Sequence, residues 1–204
     1  MISFPGDRTF WLRHLHRWHW ISAAISLVGM LLFAVTGITL NHASRIEASP
    51  AITSRTATLP PELLRLVEGT GNGGALPEAI GTWLDKTFHV DAMAGRPEWS
   101  AQEIYVAMPR AGGDAWLTID RASGDVEFEN TSRGLISYLN DLHKGRNTGL
   151  AWSLFIDVFA IGCVVFSITG LLLLKLQSAR RPLTWPMVAA GVAIPAAILV
   201  LFVH

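Results

Sequence analysis

The chain has 204 residues, half of them hydrophobic and only 16% charged, well below the roughly 25% of a soluble domain. Its 16 acidic and 16 basic side chains cancel, so nothing in the charge balance points to nucleic acid or to an acidic partner. The single cysteine, Cys163, lies in an apolar run and excludes an internal disulfide framework and any CxxC redox or zinc motif.

Taken in chain order, residues 1–17 form a basic, aromatic flank, and the stretch WLRHLHRWHW, Trp11 to Trp20, carries it into the apolar segment that follows. Tryptophan belts and basic flanks mark the cytoplasmic face of a membrane span, and the next 22 residues, Trp20 to Asn41, carry no acidic or basic group. As a helix they reach roughly 33 Å, enough to cross a bilayer. A first span is therefore expected over 18–42; it is too long for a signal-peptide core and is expected to stay in the mature protein.

Residues 43–148 are polar, with 14 acidic and 10 basic side chains, and read as a solvated domain. A loop is expected up to Pro60-Pro61, then a helix over ELLRLVEG. TGNGG, Thr70 to Gly74, reads as a linker, and LPEAIGTWLDKTF, Leu76 to Phe88, as a second helix. EIYVAMP alternates as a strand, RAGGDA turns, and AWLTID and DVEFEN are two further strands joined by RASG. Helices followed by three antiparallel strands make a small α+β domain of one or two layers. His89 stands alone at a helix end, where a surface or capping role is expected. A second span follows over 149–175, interrupted only by Asp157, then a loop over 176–184 and a third span over 185–204. Pro186 and Pro195 predict that this last helix starts late and kinks.

Orientation follows from Lys and Arg near the span ends. Arg8, Arg13, Arg17, Lys175, Arg180 and Arg181 fall on one side of three spans; Arg45, Lys144 and Arg146 fall on the other. This puts the N-terminus in the cytoplasm and the inserted domain outside it. His42 and His143 then come to the same outer depth on two antiparallel spans, and haem iron takes two axial ligands from opposite faces of its ring. Gly37, Gly145 and Gly149 would let a flat macrocycle approach the backbone, and Arg45, Lys144 and Arg146 could pair with its propionates. The alternative is two interfacial histidines bonded to headgroups or loops.

His16 and His19 share a helix face, so they cannot sit on opposite sides of one ring. A second haem there needs a ligand from another helix or from a second copy, and Gly170 on the neighbouring span is the one sign of room for a ring. Asp157, ~10 Å inside the second span, is costly to place there. It could back a ligand histidine, carry a proton, or bond a hydroxyl such as that of Thr36. It follows His143 by 14 residues and shares its face if one helix carries both.

LHRWHWISA, the TG-bearing segments AVTGITLNH and SITGLLLL, LHKGRNTG and DAWLTIDRASGDVEF together resemble the PepSY-associated transmembrane-helix family, most of all its short, three-span members. The resemblance covers nearly the whole chain. It implies three transmembrane α-helices with a PepSY-like α+β domain, placed in the periplasm, between the first and second. It also implies the inner membrane of a bacterium and b-type haem held between helices by histidines, as in ferric-siderophore reductases. His16 and His143 fall at recurrent histidine positions of the family. The chain departs from the larger reductases in having fewer spans and histidines, and Thr70-Gly71-Asn72-Gly73 does not fit a flavin-attachment motif.

The leading expectation is an oxidoreductase with one haem b, or two, passing electrons to a periplasmic iron chelate or flavoprotein. Outer-sphere electron transfer needs no acid, base or nucleophile, and no such constellation stands out. The rival is a non-redox, membrane-anchored PepSY module that docks another protein. A third reading is an accessory subunit of metal or siderophore uptake, using Asp157 and Pro195 along a permeation path. A homodimer is compatible with each.

Overall fold

The computed structural model describes residues 8–46, 49–69 and 73–203. Six helices and five strands follow one another as α1 (Arg8–Asn41), β1 (Ala51–Thr58), α2 (Pro61–Gly69), α3 (Glu78–Phe88), β2 (Arg96–Trp99), β3 (Glu103–Ala107), β4 (Gly113–Asp120), β5 (Asp125–Ser132), α4 (Gly134–Lys144), α5 (Gly149–Gln177) and α6 (Thr184–Phe202). The chain divides into two compact units. One holds α1 up to Leu32, α5 from Phe155, and α6; the other runs from Phe33 to Leu154.

In the first unit, α1, α5 and α6 are each long and apolar enough to cross a membrane. Helix α1 begins well before Trp18, so most of the aromatic flank is helical. Along this part of α1 the buried or half-buried positions Leu15, His19, Ser22, Ser26 and Gly29 recur every three or four residues. Small residues let helices approach closely in a bilayer. A methyl group on Gly29 would collide with the Phe159 ring, and one on Gly162 would stand 3.8 Å from the Ser26 side chain. Ser22 and Ser26 are buried, and each donates its hydroxyl to a carbonyl of its own helix. The third apolar helix does not start late: α6 opens at Thr184, because Pro186 falls in its first turn, where a missing N–H costs nothing. Pro195 lies inside it.

In the second unit, β1–β5 form one antiparallel sheet in the order β1-β5-β4-β3-β2, with α2 and α3 covering one face. Ile104, Val106, Leu117, Ile119, Val126 and Phe128 point into the core against Val67, Ile80, Leu84 and Phe88. Two layers result, with five strands where three were expected. The segment before Pro60 is not a loop but β1, paired with β5 from Ala51↔Ser132 to Thr58↔Asp125. Its side chains are almost all exposed, so no alternation marks it. Strand β2 lies at the other edge, the place where a strand tolerates a proline such as Pro97.

Local signals fix the ends. Pro61 occupies the first position of α2. His89 takes the left-handed C-cap of α3, at φ 59°, and its N–H bonds the Asp85 carbonyl, which is the capping role expected of it. Between β4 and β5, Asp120 accepts the backbone N–H of Ala122 at 2.9 Å and of Ser123 at 2.8 Å, and the Ser123 hydroxyl at 3.1 Å. These bonds, those from Ser123 and Ala122 backbone first, hold its carboxyl below the usual carboxylate range. Of the TGNGG linker, Thr70, Gly71 and Asn72 lie outside the described residues; Gly73 and Gly74 take φ of 149° and 126°.

Candidate functional site

His143 belongs to α4, not to the membrane helix that follows. Gly145 and Asn147, at φ 66° and 56°, and Gly149, at 77°, end α4 and restart the chain as α5. Left-handed backbone of this kind favours glycine, which is reason enough for Gly145 and Gly149 at those positions. The condition for His143 and Asp157 to share one helical face is therefore not met.

Helix α4 works as a hub through four neighbouring residues. Asn140 accepts the Thr39 hydroxyl at 3.0 Å. Asp141, 3% exposed, accepts the Gly112 N–H at 2.8 Å and pairs with Arg146 at 2.7 Å. The Leu142 carbonyl accepts the Trp152 indole N–H at 2.9 Å. His143 reaches the end of α1: its Nδ1 lies 2.7 Å from the Thr36 hydroxyl, and its ring lies 4.9 Å from the Phe33 ring. A methyl group on Gly37 would stand 3.5 Å from its Cε1. The Thr36 hydroxyl also lies 3.2 Å from the Phe33 carbonyl; when it donates there, it accepts from the His143 Nδ1–H and Nε2 keeps its lone pair.

The same local arrangement recurs in the other unit. His19 Nδ1 lies 3.1 Å from the Thr169 hydroxyl and 3.2 Å from the Phe166 carbonyl. Its ring stacks on Phe166 at 4.5 Å, and a methyl group on Gly170 would stand 3.2 Å from its Cε1. A carbonyl only accepts, so Nδ1 carries the proton here too. Each histidine thus sits in a socket of one sequence form, FxxTG: FAVTG (Phe33 to Gly37) for His143 and FSITG (Phe166 to Gly170) for His19. The TG pairs are visible in the sequence. The phenylalanine three residues before each threonine is the signal that completes the pattern, together with Asn140 and Asp141 beside LHKG.

His42 and His143 do not meet in this arrangement. His42 follows Thr36 by six residues, about 240° round a helix and ~9 Å along it, so it leaves the face on which His143 sits. It is exposed, and its Nδ1–H donates to the Ile38 carbonyl at 3.0 Å. His16 is likewise exposed, with Nδ1–H on the Leu12 carbonyl at 2.8 Å. The notches at Gly37 and Gly170 are occupied by imidazoles. Arg45 and Lys144 are exposed and in no ion pair among the described residues, whereas Arg146 is held by Asp141. Asp157 is exposed on α5 and has no hydrogen-bond or ion-pair partner among the described residues.

Residues 10–204 match the family model described as "Putative PepSY_TM-like". The chain belongs to the PepSY_TM-like family. No curated protein and no solved structure matches it. As a PepSY_TM-like protein it has three helices able to cross a membrane and a small antiparallel sheet domain between the first and second, as the sequence implied. Both sockets lie within the matched residues. Among the described residues no group of three or more His, Cys, Asp or Glu side chains gathers to hold a metal ion.

Proposed function

We propose that this PepSY_TM-like protein is an oxidoreductase of the bacterial inner membrane that carries haem b. His143 would hold the iron at one site and His19 at a second, and electrons would pass to an iron chelate or flavoprotein in the periplasm. The observation that carries this reading is the hydrogen bond at each Nδ1. A histidine that ligates iron through Nε2 donates its other N–H to an oxygen, which fixes ring and tautomer and raises ligand basicity. Each socket places an oxygen within hydrogen-bond reach of Nδ1, which supports a donor set suited to the group. His42 and His16, exposed and each with Nδ1–H on a carbonyl of its own helix, would be opposing axial ligands only from a second copy of the chain. Arg45 and Lys144 would meet propionates. When bound, haem supplies one-electron exchange between ferric and ferrous iron. The chain's own part is to fix the two imidazoles and to keep water from them with the apolar helices. The excess of Lys and Arg near Arg8–Arg17 and Lys175–Arg181 favours a cytoplasmic N-terminus and a periplasmic sheet domain.

A second reading, a non-redox anchored binding module, draws support from the filled glycine notches: a histidine packed on Phe, Thr and Gly clamps two helices without any cofactor. The absorption spectrum of the detergent-purified chain, oxidised and dithionite-reduced, with pyridine-haemochrome quantification, separates the two. Haem ligation requires a sharp reduced α-band that loses one haem on His143→Ala and the other on His19→Ala. A folded, colourless protein from haem-replete cells would leave the sockets as clamps.

A further inference from the structure

The sheet ends in two unlike edges. Strand β2, at one of them, is four residues long and contains Pro97, and both features keep a strand from recruiting another. Strand β1, at the other, has eight residues, no proline and an unbroken register against β5. The Leu59 N–H bonds the Gly124 carbonyl, so in an antiparallel ladder the odd-numbered residues of β1 turn their backbone groups to β5. Ile52, Ser54, Thr56 and Thr58 turn theirs outward, where no hydrogen bond meets them among the described residues. Such a row of N–H and C=O groups is a template for a further strand.

What kind of strand is set by the side chains. Those of Ile52, Ser54, Thr56 and Thr58 lie on the face of the sheet that α2 and α3 leave uncovered, since Ala57 packs on the core. On that face, at the Thr56 and Thr58 end of β1, is a cleft of about 580 Å³. Four carboxylates line it, those of Glu103, Asp120, Asp125 and Glu127, and no Lys or Arg does. Glu127 and Asp125 stand directly opposite Thr56 and Thr58 in the ladder. The cation of β1 itself, Arg55, is turned to the other face, over the Phe128 ring. A strand added outside β1 would run roughly 9.5 Å from β5, with small hydroxyl side chains in between. A lysine or arginine on its long stem spans that gap to a carboxylate.

We infer that β1 takes up an extended basic segment of a partner protein as a sixth strand. Its backbone would bond the outward groups of Ile52, Ser54, Thr56 and Thr58, and its alternate Lys or Arg side chains would meet Asp125 and Glu127. The inference stands independently of the haem reading. It is tested with the full chain in detergent, at low ionic strength, and a fluorescent, end-blocked octapeptide in which Lys alternates with Thr. The peptide should bind saturably, and the amides of Ile52, Ser54, Thr56 and Thr58 should gain protection from hydrogen exchange in NMR spectra. Glutamate in place of its lysines should abolish binding. Two further peptides carry backbone N-methyl groups, one at the lysines and one at the threonines. A single edge of the peptide faces β1, so one of these two should bind about tenfold more weakly than the other. Ser54→Pro removes an outward N–H, leaves the bonds to β5 in place, and should abolish binding with unchanged far-ultraviolet circular dichroism. Glu127→Gln, at an exposed carboxylate, should weaken the lysine peptide by about threefold. The assignment is overturned if the lysine peptide shows no saturable binding, if the glutamate peptide matches it, if both methylated peptides bind alike, or if the four amides stay unprotected in the complex. Protection of those amides in the free chain, growing with its concentration, would overturn it in favour of a second copy on the edge.

Discussion

The two histidine sockets share a sequence form and a bonding pattern but differ in what holds the histidine. His19 rises from the body of α1, a helix of 34 residues, and its position is set by the helix itself. His143 rises from α4, of 11 residues, whose place depends on Asn140, Asp141 and Leu142 as much as on its own backbone. One socket is therefore a feature of two packed helices. The other is tied to the sheet domain, because the Gly112 N–H that Asp141 accepts belongs to the turn after β3. A single clamp chemistry can thus be rigid in one place and answerable to a folded domain in another.

The largest effect that should separate them is at Asp141. Asp141→Ala leaves the buried Gly112 N–H without an acceptor and frees Arg146, and should lower the unfolding free energy of the full chain by about 3 kcal/mol in urea. It should also disturb the ring signals of His143 in NMR spectra and leave those of His19 unchanged; equal disturbance of both would break the distinction. Arg146 is 54% exposed on its side chain, so its loss should cost much less.

Next come the hydroxyls. Thr36→Val and Thr169→Val should each cost about 1 kcal/mol of stability. If the sockets ligate haem, each should also raise the midpoint potential, because a histidine that loses its Nδ1–H acceptor becomes a less basic ligand. Thr36→Val should act more strongly, since its bond is 2.7 Å, whereas the Phe166 carbonyl remains within reach of His19 when Thr169 is lost. Thr→Ser at either site should restore both readouts. A smaller contrast runs the other way: Gly170→Ala places a methyl group at 3.2 Å from the His19 ring, and Gly37→Ala at 3.5 Å from that of His143. The first should lower the melting temperature measurably and the second hardly at all.

The smallest effect lies outside both sockets. The Asp120 carboxyl is held below its ordinary value by the Ser123 and Ala122 bonds, so its stabilising contribution is complete above the ordinary carboxylate pKa. That contribution is lost as the pH falls through the lowered folded value. Thermal melts from pH 7 to pH 3 should show the wild-type chain converging on Asp120→Asn at the acid end and exceeding it at the neutral end.

Much of this organisation can be read along the chain. The spans declare themselves by uninterrupted apolar length, and β3, β4 and β5 by alternation, since one face of each is buried. Strands β1 and β2 escape such a reading because AITSRTAT turns scarcely a side chain into the core, and RPEW is too short, with a proline in it, for its half-buried Pro97 and Trp99 to stand out. The pairing of His42 with His143 came from depth alone. Depth is fixed by residue count, but the direction in which a side chain leaves a helix also matters, and six residues of rotation carry His42 off the face that α4 meets. Which TG segment receives which histidine is a tertiary fact. The repetition of FxxTG hints at it only once both phenylalanines are seen beneath rings.

Strand β1 has one further consequence. With scarcely a side chain seated in the core, β1 has little besides Ala57 at the core edge, Arg55 over the Phe128 ring and the Thr58 hydroxyl on Asp125 to distinguish one pairing register from the next. The register is pinned at one end, where Leu59 is 4% exposed in the core and its N–H bonds the Gly124 carbonyl at 2.8 Å. Slippage by one residue would have to drag Leu59 out of the core, so this side chain does most to keep the strand in step.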